Sequence, residues 1–273
     1  MSEADHLTDA ENAKPTAAGI YDAYLGGSHN TKLEREAADK LRQGVPEVEA
    51  MAWANRSFHQ RAVRWLAEQG IRQFIDLGSG LPTQENTHQI AQKVIPDARV
   101  LYVDHDPRTS ELGAQLVADS PGIGFIQADL SKPADVLDHP ERQRLIDLDQ
   151  PVAVLATAVL HFIRDEDDPW GLVAGYVDAI ASGSYVVLNH ITADRQPREK
   201  VQTLYAVYRG ANEMITMRNR EQVEWFFRGL VLEPAYEGGD RKLTYLGIWG
   251  SEDPVAADDD TSRWAYCGVA RKP

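Results

Sequence analysis

Residues 73–83, QFIDLGSGLPT, constrain this chain more than any other stretch. An apolar run enters a glycine turn and then a helical pattern over 84–95, with an acid, Asp76, two positions before Gly78. Gly78 and Gly80 carry no side chain, so the backbone there can turn sharply and approach a ligand, and the helix that follows offers unpaired N–H groups. Two further apolar runs end in the same way: RVLYVDHDP closes on Asp104, and GIGFIQADL closes on Asp129 and Leu130. Strand and helix patterns alternate as far as Asn189, which predicts a parallel sheet covered by helices on both faces. Glycine pairs also occur at ordinary strand-to-helix corners; three strand ends finishing alike are what point to a ligand.

The sign of the charge narrows the ligand. A dinucleotide fingerprint G-x-G-x-x-G requires a third glycine where this chain has Thr83, and a carboxylate ahead of the turn would repel a pyrophosphate. The same carboxylate accepts hydrogen bonds from a cationic ammonium group such as the methionine end of S-adenosylmethionine, so a methyl donor is favoured over NAD. Asp104, at the tip of the second strand, is placed to hold ribose hydroxyls. Asp106 precedes Pro107 and reads as the cap of the next helix. Asp129 is expected beside the adenine amino group, with Leu130 on the ring face.

The series DLGSG, YVDHDP, QADL, AVLHFIRD and YCGVARKP resembles a class I S-adenosylmethionine-dependent methyltransferase. More narrowly, YDAYLGGSHN, NRSFHQRAVRWLAEQGIRQFIDLGSGLPT and PVAVLATAVLHFIRDEDDP are similar to a bacterial family of S-adenosyl methyltransferases formerly designated a domain of unknown function. The resemblance runs over residues 17–273. It implies an α/β Rossmann-like fold: a seven-stranded, mostly parallel sheet with helices on both faces, an N-terminal helical cap, and GLVLEPAY with WAYCGVARKP as its antiparallel edge. It implies S-adenosylmethionine as cofactor and adds Ser79, His105 and Ala158 to the cofactor set. It supplies no acceptor.

Three regions are expected: an acidic tail over 1–15 too polar to fold by burying apolar surface, a helical cap over 16–70, and a cofactor-binding domain over 71–273. Within the cap, a helix over 17–25 breaks at Gly26 and Gly27, a second starts near Thr31, and a third spans 46–69 with Val48, Met51, Phe58, Ala62 and Trp65 at helical spacing. The loop YDAYLGGSHN, with Tyr21, Gly27 and Asn30, reads either as a lid that closes over the donor and excludes water or as a connector whose glycines end a helix. Arg56, next to Asn55, is a candidate partner for the donor's carboxylate, because arginine pairs with carboxylates through two hydrogen bonds. The alternative is a solvated basic face shared with Arg61 and Arg64.

Methyl transfer needs an aligned nucleophile, and a general base only when the acceptor starts protonated. His161 in VLHFIRDEDD, beyond the fourth strand, is the candidate catalytic residue, and His190 with Asp194 nearby is the second. Tyr205 and Tyr208 are candidates for an acceptor pocket, but their helical spacing favours core packing. No run of Cys and His has metal-ligand spacing, so no metal is expected. With 28 basic against 42 acidic residues, the net charge of -14 argues against a nucleic-acid acceptor and for a small molecule. No apolar run reaches the roughly 20 residues of a membrane span and the N-terminus lacks a signal core, so a cytoplasmic protein is expected. The lone Cys267, in the last strand, is expected to be a buried small residue. A protein that binds the cofactor or its demethylated product without catalysis is the alternative function, and no motif fixes an oligomeric state.

Overall fold

The computed structural model describes residues 14–81 and 85–273. Most of the expected acidic tail, together with Thr83 and Gln84, lies outside them.

Three helices lead the chain: α1 (Ala17–Tyr24), α2 (Lys32–Gly44) and α3 (Val48–Glu68). Strands and helices then alternate through β1 (Gln73–Leu77), α4 (Thr87–Val94), β2 (Arg99–Asp104), α5 (Pro107–Val117), β3 (Ile123–Gln127), α6 (Pro133–Leu137), α7 (Pro140–Leu145), β4 (Ala153–Ala156), α8 (Pro169–Ala179) and β5 (Tyr185–Ile191). The chain closes with α9 (Arg198–Arg209), α10 (Arg220–Glu224), β6 (Val231–Leu232), β7 (Thr244–Tyr245) and β8 (Ala265–Arg271).

The first five strands are parallel in the order β3-β2-β1-β4-β5, and β8 joins β5 antiparallel. All five residues of β1 are buried, as expected of a strand covered on both faces. The strand order reverses between β1 and β4, and in such sheets ligands bind in the crevice outside the carboxyl ends at that reversal.

The edge differs in detail from the expected seven strands. The segment GLVLEPAY contributes only the two residues of β6, because Pro234 has no N–H to continue the ladder. The far side of β8 is shared with a short extra strand, β7, making eight among the described residues. The helical region expected over 197–228 is also divided. Helix α9 ends before Gly210, and α10 starts afresh where Asn219 Oδ1 accepts the Gln222 N–H at 2.9 Å.

One core lies on each face of the sheet. The first packs β1, β2 and β4 against Val136, Leu145, Leu172 and Tyr176, and the second packs Phe58, Ala62 and Leu66 of α3 with Ile90 of α4 against the other face. A third cluster joins Ile20, Tyr24, Leu41, Val48 and Ala52 to Leu204 and Trp264, so α9 completes the cap built by α1–α3. Glu34 locks that cap down. Its buried carboxylate accepts from Thr16 Oγ1 at 2.7 Å, from the Thr31 N–H at 2.6 Å and from Arg108 of α5 at 2.9 Å. Burial alone would raise its pKa, but these donors outweigh it and hold the carboxyl lowered.

Candidate functional site

A cavity of about 470 Å³ opens at the carboxyl ends of the parallel strands, beneath the cap. Among the expected site residues, Tyr21, Arg56, Asp76, Gly78, Ser79, Gly80, Asp104, His105, Asp129, Leu130, Ala158 and His161 line it. Gly27 and Asn30 stand one layer back. A Cβ on Gly27 would collide with Asp22, whose Oδ2 accepts from Asn30 Nδ2 at 2.8 Å and from the His29 N–H at 3.0 Å. The loop therefore folds onto Asp22, itself a lining residue, while Gly26 at φ +73° turns the chain out of α1.

The turn after β1 follows from its glycines. Gly78 and Gly80 take φ of +61° and +60°, where a Cβ is strained, and a Cβ on Gly78 would also strike Val159 Cγ2. Gly78→Ala is therefore expected to cost about 2 kcal/mol and to displace the turn, seen as a lowered Tm together with weakened cofactor binding. The Gly80 N–H donates to Asp104 Oδ2 at 2.9 Å and the Asp106 N–H to Asp104 Oδ1 at 3.0 Å, so one carboxylate fastens the turn to the tip of β2. Each oxygen keeps a lone pair for a ligand hydroxyl. Asp106 caps α5 as expected, accepting the Thr109 N–H at 2.7 Å. Burial raises the Asp104 pKa against those two hydrogen bonds. Burial also presses Asp129 upward, but hydrogen bonds from Ser131 and the charge of Lys132 prevail and hold it lowered.

Asp76 sits at the end of a buried chain of hydrogen bonds that the sequence did not announce. The Thr87 hydroxyl donates to Asp76 Oδ2 at 2.6 Å, which spends its proton. His59 must then donate from Nε2 to Thr87 Oγ1 at 2.8 Å and accept at Nδ1 from Thr157 Oγ1 at 2.9 Å. That single neutral tautomer agrees with burial and Arg56 holding the His59 pKa down to about 3. Burial pushes Asp76 the other way, to about 6, although Thr87 and Arg56 oppose it. The one sequence signal for His59 is its position three residues after Arg56, on the same face of α3.

A second chain fixes the opposite wall. Ala158, at φ +55°, donates its N–H to Asn189 Oδ1 at 2.8 Å; Asn189 Nδ2 donates to Asn55 Oδ1, and Asn55 Nδ2 donates to Tyr21 Oη at 2.6 Å. The cap residue Tyr21 is thereby tied through α3 to the turn after β4. Arg56 reaches Asn86 Oδ1 at 3.0 Å, whereas Arg61 turns away and donates to the carbonyls of Trp249 and Leu246 at 2.7 Å each.

His161 lies on a 3₁₀ turn after β4, its Nδ1 buried without a hydrogen-bond partner. Burial and then Arg218 hold its pKa down to about 3, so the ring is neutral. His190 is outside the lining and fully engaged: Nε2 accepts from Arg218 at 2.6 Å, leaving Nδ1–H for the Ile191 carbonyl at 2.8 Å. Tyr208 lines the cavity, but Tyr205 does not; its hydroxyl accepts the Met217 N–H at 3.2 Å. Two lining or supporting residues escaped notice because they sit between α9 and α10, in a stretch read as helix. Glu213 accepts the Ala17 N–H at 3.0 Å, and Arg218 is wholly buried behind His161. Among the described residues, no group of His, Cys, Asp or Glu is arranged to hold a metal ion, and no helix is long and apolar enough to cross a membrane.

A parallel sheet with this strand order, an antiparallel strand beside β5, a glycine turn after β1 and carboxylates at the tips of β1 and β2 define a class I S-adenosylmethionine-dependent methyltransferase. The chain belongs to the S-adenosyl methyltransferase family, whose pattern matches residues 3–273. It is 35% identical to a candidate methyltransferase of Thermobifida fusca YX, covering 96% of each chain with a TM-score of 0.87. It is 37% identical to a DUF574 family protein of Streptomyces avermitilis MA-4680, covering 95% of this chain and 98% of that one with a TM-score of 0.86. The plantazolicin methyltransferase BpumL, in complex with a triazolic desmethylPZN analog and S-adenosylhomocysteine, shares the fold at 10% identity and a TM-score of 0.51, over 94% of this chain and 96% of that one. A search of curated proteins returned no match.

Proposed function

We propose that this enzyme transfers the methyl group of S-adenosylmethionine to an oxygen or nitrogen nucleophile of a small molecule. The observation that carries the reading is one cavity lined jointly by Asp76, Asp104 and Asp129, by the glycine turn, and by an apolar compartment under the cap. The residues fit the cofactor chemically. Burial raises the pKa of the Asp76 carboxyl to about 6, and the cofactor's ammonium would offset that cost by pairing with its charge.

In this reading Asp76 takes the ammonium and Arg56 the carboxylate of the donor's methionine end, over the backbone of Gly78, Ser79, Gly80 and Ala158. Asp104 takes the ribose hydroxyls with His105 beside it, and Asp129 and Leu130 receive the adenine. Residues 16–70 form the cap over a cofactor domain of 71–273, with Gly27 and Asn30 shaping the loop that holds Asp22. When bound, S-adenosylmethionine supplies an electrophilic methyl on a positively charged sulfur. His161 faces the acceptor; as a neutral ring of low basicity it orients an O–H or N–H rather than storing the proton. The net charge of -14 supports a small-molecule acceptor over a nucleic acid.

Calorimetry with S-adenosylhomocysteine tests the cofactor assignment. Asp104→Ala removes two charge-assisted hydrogen bonds to the ribose and is expected to weaken binding by roughly a hundredfold. Wild-type affinity in that variant would remove Asp104 from the site. Methyl transfer itself is read by mass spectrometry in an acceptor screen.

A further inference from the structure

Four non-glycine residues take a positive φ among the described residues, and of these only Ala158, at +55°, lines the cavity. Alanine gains nothing locally from a left-handed backbone, so the surrounding structure must impose it. The next residue shows what the strain achieves. Val159 occupies the space that a Cβ on Gly78 would take, so the turn after β4 bears directly on the glycine turn after β1. Both turns line the cavity.

The hydrogen bonds that hold Ala158 run in one direction. A backbone N–H can only donate, so Asn189 must turn Oδ1 to Ala158, at 2.8 Å, and Nδ2 to Asn55. Asn55 must then present Oδ1 to Asn189 and Nδ2 to Tyr21 Oη, at 2.6 Å, which leaves the tyrosine proton for the Ala52 carbonyl at 3.0 Å. The chain begins on a fixed donor and ends on a fixed acceptor, so neither amide can flip without breaking a bond. Asn189, at its centre, is only 2% exposed, and a cut there strands polar groups away from water. Tyr21 belongs to α1, Asn55 to α3 and Asn189 to β5. One unbranched chain thus joins the cap to the turn that bears on Gly78.

We propose that Asn189 is a positioning residue for the methyl donor: it holds the turn after β4 in its left-handed form against Gly78 and, through Asn55 and Tyr21, makes that form depend on the seated cap. This rests on the methyl-transfer reading, in which the glycine turn receives the donor. Displacing α1 releases Tyr21, which loosens Asn189 and lets Ala158 relax. By reciprocity, a donor that needs the turn in place stabilises the closed cap.

Calorimetry with S-adenosylhomocysteine tests it on the full chain, each variant being measured below its own Tm. Asn189→Leu is close in size, cuts the chain at its centre and is expected to weaken binding by about tenfold. Tyr21→Phe cuts it at the far end and is expected to weaken binding by about threefold alone and not at all in the Asn189→Leu background. Ala158→Gly decides between positioning and mere stability, because glycine takes a φ of +55° without strain and keeps the backbone. Combined with either substitution, it is expected to restore affinity to within about twofold of wild type. A purely structural Asn189 would lower Tm and leave affinity alone, and a Tyr21 that only touches the donor would lose the same affinity in every background. Unchanged affinity in Asn189→Leu, additive losses for the pair, or losses that Ala158→Gly does not reverse would each overturn the proposal. If Asn189→Leu does not fold, Tyr21→Phe with and without Ala158→Gly carries the same test. Failure of the wild-type protein to bind S-adenosylhomocysteine would instead overturn the cofactor reading, and the proposal would fall with it.

Discussion

Asp76→Asn is expected to make the cofactor-free protein more stable at pH 7.5 and, at the same time, deaf to S-adenosylmethionine. Burial raises the folded pKa of Asp76 to about 6 from an ordinary value of 3.8. The native state therefore holds this proton more tightly than the unfolded chain does, and stability falls as pH rises from about 4 through 6. Above that window the full cost stands, on the order of 3 kcal/mol for a shift of about two units. Asparagine keeps an oxygen for the Thr87 hydroxyl and carries no charge to desolvate, so the variant escapes the cost. In the proposed reading, a cofactor ammonium neutralises the same charge. Its loss is expected to weaken binding by a hundredfold or more, since a buried charge-assisted contact is replaced by an amide that offers N–H to a cation. In the wild-type protein the sign is fixed too: affinity should decline about tenfold per unit as pH drops below 6, because the proton must leave before the ammonium arrives. Thermal denaturation with and without cofactor from pH 5 to 8 measures both effects. An apo variant less stable than wild type, or an affinity flat down to pH 5, would refute the assignment of Asp76.

What the sequence disclosed and what it hid divide along a physical line. The glycine turn, the acids at Asp104 and Asp129 and the cap at Asp106 are legible because each is local: a residue type needed at one backbone position, read within a few neighbours. The chain of hydrogen bonds behind Asp76 is not local. His59 reaches Thr157 across 98 positions and Thr87 across 28, and threonine has no spacing that announces such a role. Asn189 is likewise read as one more residue of an apolar strand, although it holds Ala158 and Asn55 together. His190 shows the opposite error: a histidine at a strand end looked available, and the arginine that engages its Nε2 lies 28 positions away. The helical reading of 197–228 failed for a related reason, since the gap between α9 and α10 is set by Gly210 and by the Asn219 cap inside an otherwise helical composition.

Arg218 is where that blindness has the largest consequence for stability. Its guanidinium donates to Asp165 Oδ1 at 2.7 and 3.0 Å, to the carbonyls of Ile163 at 2.7 Å and Leu160 at 3.1 Å, and to His190 Nε2 at 2.6 Å. The rings of Trp170 and Phe226 lie 5.3 and 5.7 Å from its centre. It thus staples the 160–165 turn, which carries His161, to the end of β5. Arg218→Ala strands the Ile163 carbonyl and His190 Nε2 and leaves the Leu160 carbonyl only the Ile163 N–H at 3.2 Å; at about 1–3 kcal/mol for each buried unpaired group, the expected loss is on the order of 4 kcal/mol, or roughly 10 °C in Tm. Asp165 is a poor surrogate for the same test: its side chain is 48% exposed, and Asp165→Asn is expected to cost under about 1 kcal/mol. Arg218→Lys should be nearly as damaging as alanine, because one ammonium cannot span acceptors laid out for a planar fork. The strand-tip carboxylates make no contact with Arg218, so cofactor binding measured below the lowered Tm should survive while methyl transfer falls with the displacement of His161. A Tm within about 3 °C of wild type, or a loss of cofactor affinity equal to the loss of activity, would show that Arg218 does not position the acceptor side of the site.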